Sequence, residues 1–206
     1  MRCFMKNKFF VVTLISCFFI ASVLNANGVR LYEDRDHATL CSLLKSHPED
    51  LLVQNEPGVN RSQNERFAQT EKYLTSKKYI TQVYSKNDET VGFITYTKEI
   101  FKAPFFDAQS KQVTQVFMGN VALLAVQDAH RRQGIGKELL EVAMADMKNK
   151  NVEMVMLTTK VTNTASRSLY EKFGFKLLFG VVPGVPDCIY VYKYGQSGHC
   201  ELDLTN

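Results

Sequence analysis

Arg131-Arg132-Gln133-Gly134-Ile135-Gly136-Lys137 packs three bases, a glutamine and two glycines into seven residues, and an apolar-periodic run starts inside it. Helix N-termini leave backbone N–H groups unpaired and carry partial positive charge, so an anion such as a diphosphate fits there. Gly134 and Gly136 let the backbone come close to a ligand and take angles that side chains forbid. Arg131, Arg132 and Lys137 can add charge-assisted bonds to phosphate oxygens. A basic turn that binds nothing is the alternative for this local pattern. Two familiar phosphate motifs are excluded. A P-loop needs four residues between its glycines and then Gly-Lys-Ser/Thr, and a dinucleotide fingerprint needs glycine or alanine where Leu139 stands.

Apolar residues at 135, 139, 140, 143, 144 and 147 predict a helix from Ile135 to Met147. Before the turn, QVFMGNVALLAV (115–126) reads as a long central strand with Gly119 as a candidate bulge. After the helix, VEMVMLTT reads as a strand, and Thr164 to Phe173 as a short helix with Asn163 as N-cap and Gly174 as its stop. Upstream, GVRLYED is a short strand, Asp36 opens a helix that buries Leu40, Leu43 and Leu44, and Asn64 to Ser76 is a second helix burying Phe67, Tyr73 and Leu74. YITQVYS and TVGFITYT form a hairpin about Lys86-Asn87-Asp88-Glu89. Segments 46–63 and 99–114 read as loops, and FKLLFGVV and DCIYVYKY as final strands. The element order is that of a one-domain α/β fold.

On these residues the chain resembles the GCN5-related N-acetyltransferase (GNAT) superfamily. VALLAVQDAHRRQGIGKELL looks like its acetyl-CoA-binding segment, with Arg131, Gly134 and Gly136 at the pattern positions. NTASRSLYEKFGFK is similar to a second signature, met by Asn163, Ser166, Leu169, Tyr170, Glu171, Lys172, Gly174 and Phe175. The resemblance implies a mixed, mostly antiparallel sheet of about seven strands flanked by about four helices, covering residues 28 to about 194. It implies that the coenzyme arm runs beside the backbone of Leu124, Ala125 and Val126, and that the diphosphate sits on the N–H groups from Arg132 through Gln133, Gly134, Ile135 and Gly136 to Lys137. Asn163 would contact the arm, and Tyr170 would protonate the departing thiolate.

The implied reaction is direct attack of an amine on the thioester of acetyl-CoA, with acetyl-CoA as acyl-donor co-substrate and no metal. An alkyl ammonium has a pKa of about 10.4, so a base or water chain must take its proton at neutral pH. Many relatives carry a glutamate on the strand that here reads QVFMGNVALL. Gln115 and Asn120 are the polar side chains of this strand, and it has no acid. Glu99, Asp107, Asp128 and His130 flank it, and the base stays unassigned. The acceptor amine, small molecule or protein, is not readable. Pro57, Phe101, Phe105 and Phe106 suggest a partly apolar acceptor pocket. An exported or anchored, non-catalytic acyl-CoA-binding module with the same fold is the second reading.

The chain has 206 residues, 45% hydrophobic and 22% charged, the balance of a globular protein. Its start differs. Arg2, Lys6 and Lys8 precede an uncharged run from Phe9 to Leu24, followed by Asn25-Ala26-Asn27-Gly28, the order of a secretory signal cut after Ala26. Residues 1–26 are therefore expected to be a leader that engages the membrane or the export machinery, and 27–206 the acetyltransferase-like domain. Export to the periplasm or medium is one destination. An uncleaved inner-membrane anchor is another, and the domain then faces either the far side, as the positive-inside rule favours, or the cytoplasm. Leu14-Ile15-Ser16-Cys17 resembles a lipobox, but the apolar run continues past the cysteine. Beyond residue 26 the chain has 22 bases against 21 acids, no balance for nucleic acid. Cys41, Cys188 and Cys200 lack metal-ligand spacing, and four scattered histidines argue against a zinc site. Cys188 and Cys200 could pair in an exported domain.

Overall fold

A computed structural model describes residues 27–51, 61–107, 111–179 and 187–195. Residues 1–26, Pro57 and Cys200 lie outside these, and with them the leader and the Cys188–Cys200 pairing. Among the described residues no helix is long and apolar enough to cross a membrane.

The strands are β1 (Gly28–Leu31), β2 (Tyr79–Lys86), β3 (Glu89–Thr97), β4 (Phe101–Asp107), β5 (Gln112–Val126), β6 (Met154–Lys160), β7 (Lys176–Phe179) and β8 (Asp187–Lys193). The helices are α1 (His37–Ser46), α2 (Pro48–Leu51), α3 (Gln63–Thr75), α4 (Ile135–Asn149) and α5 (Thr164–Phe173). The sheet runs β1-β2-β3-β5-β6-β8-β7, with β4 pairing the first half of β5. Every described pairing is antiparallel except β5 with β6. The mixed, mostly antiparallel sheet expected from the sequence is present, with eight strands rather than seven. The extra strand is β4, in the segment read as a loop; Phe101 pairs with Met118 in its register and is 41% exposed. Pro48–Leu51 forms one helical turn in a segment expected to be mostly loop.

Local signals explain the elements. Asn87 and Asp88 take φ of 51° and 63°, the two left-handed residues a two-residue hairpin needs. Ser62 accepts from the Glu65 N–H while Glu65 reaches back to Ser62, a capping box that starts α3. Asn163 Oδ1 accepts from Ser166 N at 3.1 Å to cap α5, and Gly174, at φ 108°, ends it.

Two cores lie on opposite faces of the sheet. On one, α4 buries Ile135, Leu139, Leu140, Ala143, Met144 and Met147 against Ile94, Val121, Val155 and Leu157. On the other, Leu40, Leu43 and Leu44 of α1 and Leu74 of α3 meet Val83, Phe93, Leu123 and Ala125. Fully burying one leucine contributes about 2 kcal/mol, so these stripes hold both helix layers to the sheet.

β5 serves both cores because it is bulged. Thr95 pairs with Leu123 but its neighbour Tyr96 pairs with Val121, so Ala122 is the extra residue. Val121 faces the α4 core, whereas Leu123 and Ala125 face the α1 core; Leu124 and Val126 return to the α4 side. The expected bulge at Gly119 is not there. Gly119 pairs in register with Val155, and its glycine is needed for space: a Cβ would stand 2.8 Å from Met147 Sδ.

Candidate active site

β5 and β6 pair in parallel from Met118–Met154 to Val121–Leu157, and there the pairing stops. β5 continues to Val126, backed by β3, while β6 continues to Lys160, backed by β8. The strands splay, and among the described residues the edge of β5 that faces β6 has no strand partner over its last five residues. Two cavities of about 380 Å³ each fill the opening and share Leu51, Leu124, Asn163 and Ser166. They are two ends of one cleft.

One end is lined by Leu124, Ala125, Val126, Arg131, Arg132, Gly134, Ile135, Gly136, Lys137 and Asn163, which the sequence had grouped, and by His47, His130 and Leu169. Arg132 (φ 63°) and Gly134 (φ 86°) turn the chain so that α4 begins at Ile135. The N–H groups of residues 132–136 meet no backbone carbonyl among the described residues, whereas Lys137 and Glu138 both donate to Gly134 O. That is a run of donors at a helix start, the geometry for an anion. A Cβ on Gly136 would meet only ordinary contacts, Leu169 at 3.5 Å and Val126 at 3.8 Å. The protein itself therefore does not require glycine at 136.

The charged side chains are more occupied than their types suggest. Arg131 donates from Nε to Val126 O at 3.2 Å, and its Nη2 stands 2.9 Å from Asp128 Oδ1 and 3.0 Å from His47 Nε2. It braces the turn. Lys137 pairs with Glu141 at 2.8 Å on the exposed helix face. Gln133 accepts from Lys86 Nζ at 2.8 Å and donates to Ala129 O, which ties the turn to the β2–β3 hairpin; it does not line either cavity.

The other end is lined by Tyr73 of α3, Asn120 and Val121 of β5, Thr158, Thr159 and Lys160 of β6, Asp187 of β8, and Tyr170. Tyr170 is 6% exposed. Burial raises its pKa, a hydrogen bond with Ser166 lowers it, and burial wins, pushing it up to about 12. It stays protonated at neutral pH, as a proton donor must. Asn163 spends Oδ1 on capping α5, so its amide N–H₂ is the part left for a ligand. Both described thiols are held in the protonated form. Burial and then the bond to Glu71 push Cys41 up to about 11, and burial raises Cys188, whose Sγ donates to Thr159 O at 3.2 Å.

Sequence reasoning left Tyr73, Leu51 and Asp187 without roles, because they arrive from separate elements and carry no motif spacing; Ser166 was placed in the second signature without a role of its own. Of the acids and histidine that flank β5 in sequence, Asp128 is held by Arg131 and His47, and His130 lines the cationic end. Gln115 pairs with Pro104 and is exposed, whereas Asn120 lines the cleft. Phe101 lines neither cavity.

Residues 44–175 match the model of the Acetyltransferase (GNAT) family. The chain belongs to that family. The GNAT match runs from the last turn of α1 to just past α5 and so includes β5 and β6, both walls of the cleft. The chain is 40% identical over 57 residues to N-alpha-acetyltransferase 30 of Saccharomyces cerevisiae, covering 28% of this chain and 32% of that protein. It is 44% identical over 64 residues to an N-alpha-acetyltransferase of Sulfurisphaera tokodaii, covering 31% and 38%. The matched segments thus span about a third of these relatives. The GNAT fold is also that of PaiA N-acetyltransferase from Thermoplasma acidophilum in complex with coenzyme A, at 18% identity and a TM-score of 0.54 over 82% of this chain and 99% of that one.

Proposed function

We propose that this GNAT protein transfers the acetyl group of acetyl-CoA to an amine by direct attack. The observation that carries the proposal is the single cleft, with a row of N–H groups that meet no backbone carbonyl among the described residues at one end and a buried, protonated Tyr170 at the other. The diphosphate occupies the turn at residues 132–137. The pantetheine arm lies along the open edge of Leu124, Ala125 and Val126 and takes a bond from the Asn163 amide. The amine nitrogen attacks the thioester carbon, the C–S bond breaks as the nitrogen gives its second proton to solvent to leave a neutral amide, and Tyr170 donates its proton to the leaving sulfur. Solvent then reprotonates Tyr170.

Among the described residues Asp187 is the carboxylate lining the acceptor end, and it receives the proton that the ammonium must lose, directly or through water. The names of the matched relatives make an α-amine at a protein N-terminus the first acceptor class to try. Residues 1–26 act in this proposal as an export leader or anchor, and the domain meets acetyl-CoA on whichever side that places it.

The test is release of free CoA thiol by the full chain with a panel of N-terminal peptides and small amines. Turnover with any of them supports the reading. Micromolar binding of acetyl-CoA without turnover on the whole panel selects instead a non-catalytic acyl-CoA-binding module, the reading favoured by the acid-free β5. Absence of binding removes both.

A further inference from the structure

Away from the cleft, α1 and α3 bring three metal-ligand side chains together. His37 Nε2 lies 3.0 Å from Glu71 Oε1, Cys41 Sγ lies 3.4 Å from the same oxygen, and Cys41 Sγ lies 3.5 Å from His37 Nε2. His37 and Cys41 are four residues apart on one helix and so share a face. Glu71 comes from the other helix.

We propose that His37, Cys41 and Glu71 bind a zinc ion. Zinc bonds of about 2.0 to 2.3 Å at tetrahedral angles put neighbouring donor atoms about 3.3 to 3.6 Å apart. The three separations already approach one face of that tetrahedron, so the ion enters with movements of a few tenths of an ångström. Imidazole nitrogen, thiolate sulfur and carboxylate oxygen together suit zinc better than calcium or magnesium, which take oxygen alone. A fourth group is also in place. Tyr32 Oη lies 2.9 Å from His37 Nδ1, where it can accept from Nδ1–H once Nε2 gives up its proton to bind the metal. His37 and Glu71 are 37% and 34% exposed at their side chains, so the ion has a path in and water can complete its coordination.

On binding, the Cys41 thiol loses its proton to solvent as the S–Zn bond forms. The ion then fastens α1 to α3. Glu71 stands two residues before Tyr73, so the metal stiffens the helix that lines the acceptor end of the cleft. The four scattered histidines argued against zinc in the sequence because two of the three ligands are not histidine and one comes from a distant helix.

The experiment is titration of cobalt(II) into the full, metal-stripped chain, followed by displacement with zinc. One equivalent binds at micromolar concentration and gives the intense visible bands of tetrahedral cobalt with a near-ultraviolet thiolate charge-transfer band. The charge-transfer band is lost in Cys41→Ser and kept in Cys188→Ser. Tyr32→Phe weakens binding about tenfold, the scale of losing a group that orients a ligand. Zinc raises the Tm of the wild type but not of Glu71→Gln, which reads the same site without relying on the thiol. A thiolate band that survives Cys41→Ser, or no tetrahedral spectrum together with no zinc-dependent rise in Tm, overturns the proposal.

Discussion

Tyr170 and Tyr190 pack ring against ring with centroids 6.2 Å apart, and their hydroxyls are held differently. Tyr190 donates to Glu171 Oε1 at 2.6 Å and accepts from Arg167 Nε at 3.2 Å, so charged partners occupy it. Tyr170 has Ser166 beside it and lines the cleft. Two adjacent tyrosines are thereby separated into a structural one and a candidate proton donor.

Tyr170→Phe should lower kcat by about 10²-fold, the lower end for loss of a general acid, with the Kd for acetyl-CoA nearly unchanged. Tyr190→Phe is the comparison and should act mainly on stability. Because Tyr170 is pushed up to about 12, its protonated state favours the fold fully below pH 10, and that advantage fades as pH rises from 10 through 12. The rate should accordingly show no alkaline fall from this group up to pH 10. A falling limb centred near pH 8, absent in Tyr170→Phe, would count against the assignment.

Gly136→Ala should separate binding from stability. The methyl fits beside Leu169 and Val126, and replacing a helical glycine stabilises by about 0.5–1 kcal/mol, worth roughly 2 °C in Tm. The same methyl would add bulk in the turn proposed to hold the diphosphate. Calorimetry should show acetyl-CoA binding weakened at least about tenfold, near 1.4 kcal/mol, in a protein that melts later.

Asp36 is 3% exposed and accepts from Arg30 at 2.7 Å through both oxygens, from Thr90 at 2.6 Å and from the Glu33 N–H at 2.9 Å. Burial alone would raise its pKa; the bonds from Arg30, Thr90 and Glu33 outweigh it and hold the carboxyl at about 2. A depressed carboxylate stabilises the fold above its unfolded pKa, about 4, and that contribution is lost as pH falls from 4 to 2. Asp36→Asn should cost about 3 kcal/mol at pH 7, and urea midpoints of the two proteins should converge towards pH 2.

Gly119→Ala should cost about 1–3 kcal/mol by overpacking, since the new methyl must push Met147 aside within a filled core. In a Met147→Ala background, which has its own cavity cost, Gly119→Ala should cost less than in the wild type, and an additive double mutant would show that the contact is not the cause.

How far these features were legible depended on whether the deciding interaction was local. The α4 stripe, the Asn87-Asp88 turn and the Asn163 cap were readable because each is settled within a few residues. β4 was hidden because its described pairing is with β5 alone, across a turn, and it carries Pro104, which cannot donate to a ladder. The bulge was placed at Gly119, the residue type that usually marks one. The actual shift falls at Ala122, where the two helix layers make opposite demands on one strand. In the site, the cationic turn and Tyr170 carry motif spacing, whereas Asp187 and Tyr73 reach the cleft only through tertiary packing.

Each wall of the cleft leans on its own antiparallel neighbour, β5 on β3 and β6 on β8. No rung joins the walls past Val121 and Leu157. A long, thin guest can therefore slide in as a wedge does, expelling water while every hydrogen bond of the sheet stays intact. For a guest entering as proposed, the last rung, Val121 with Leu157, is the floor that limits its depth.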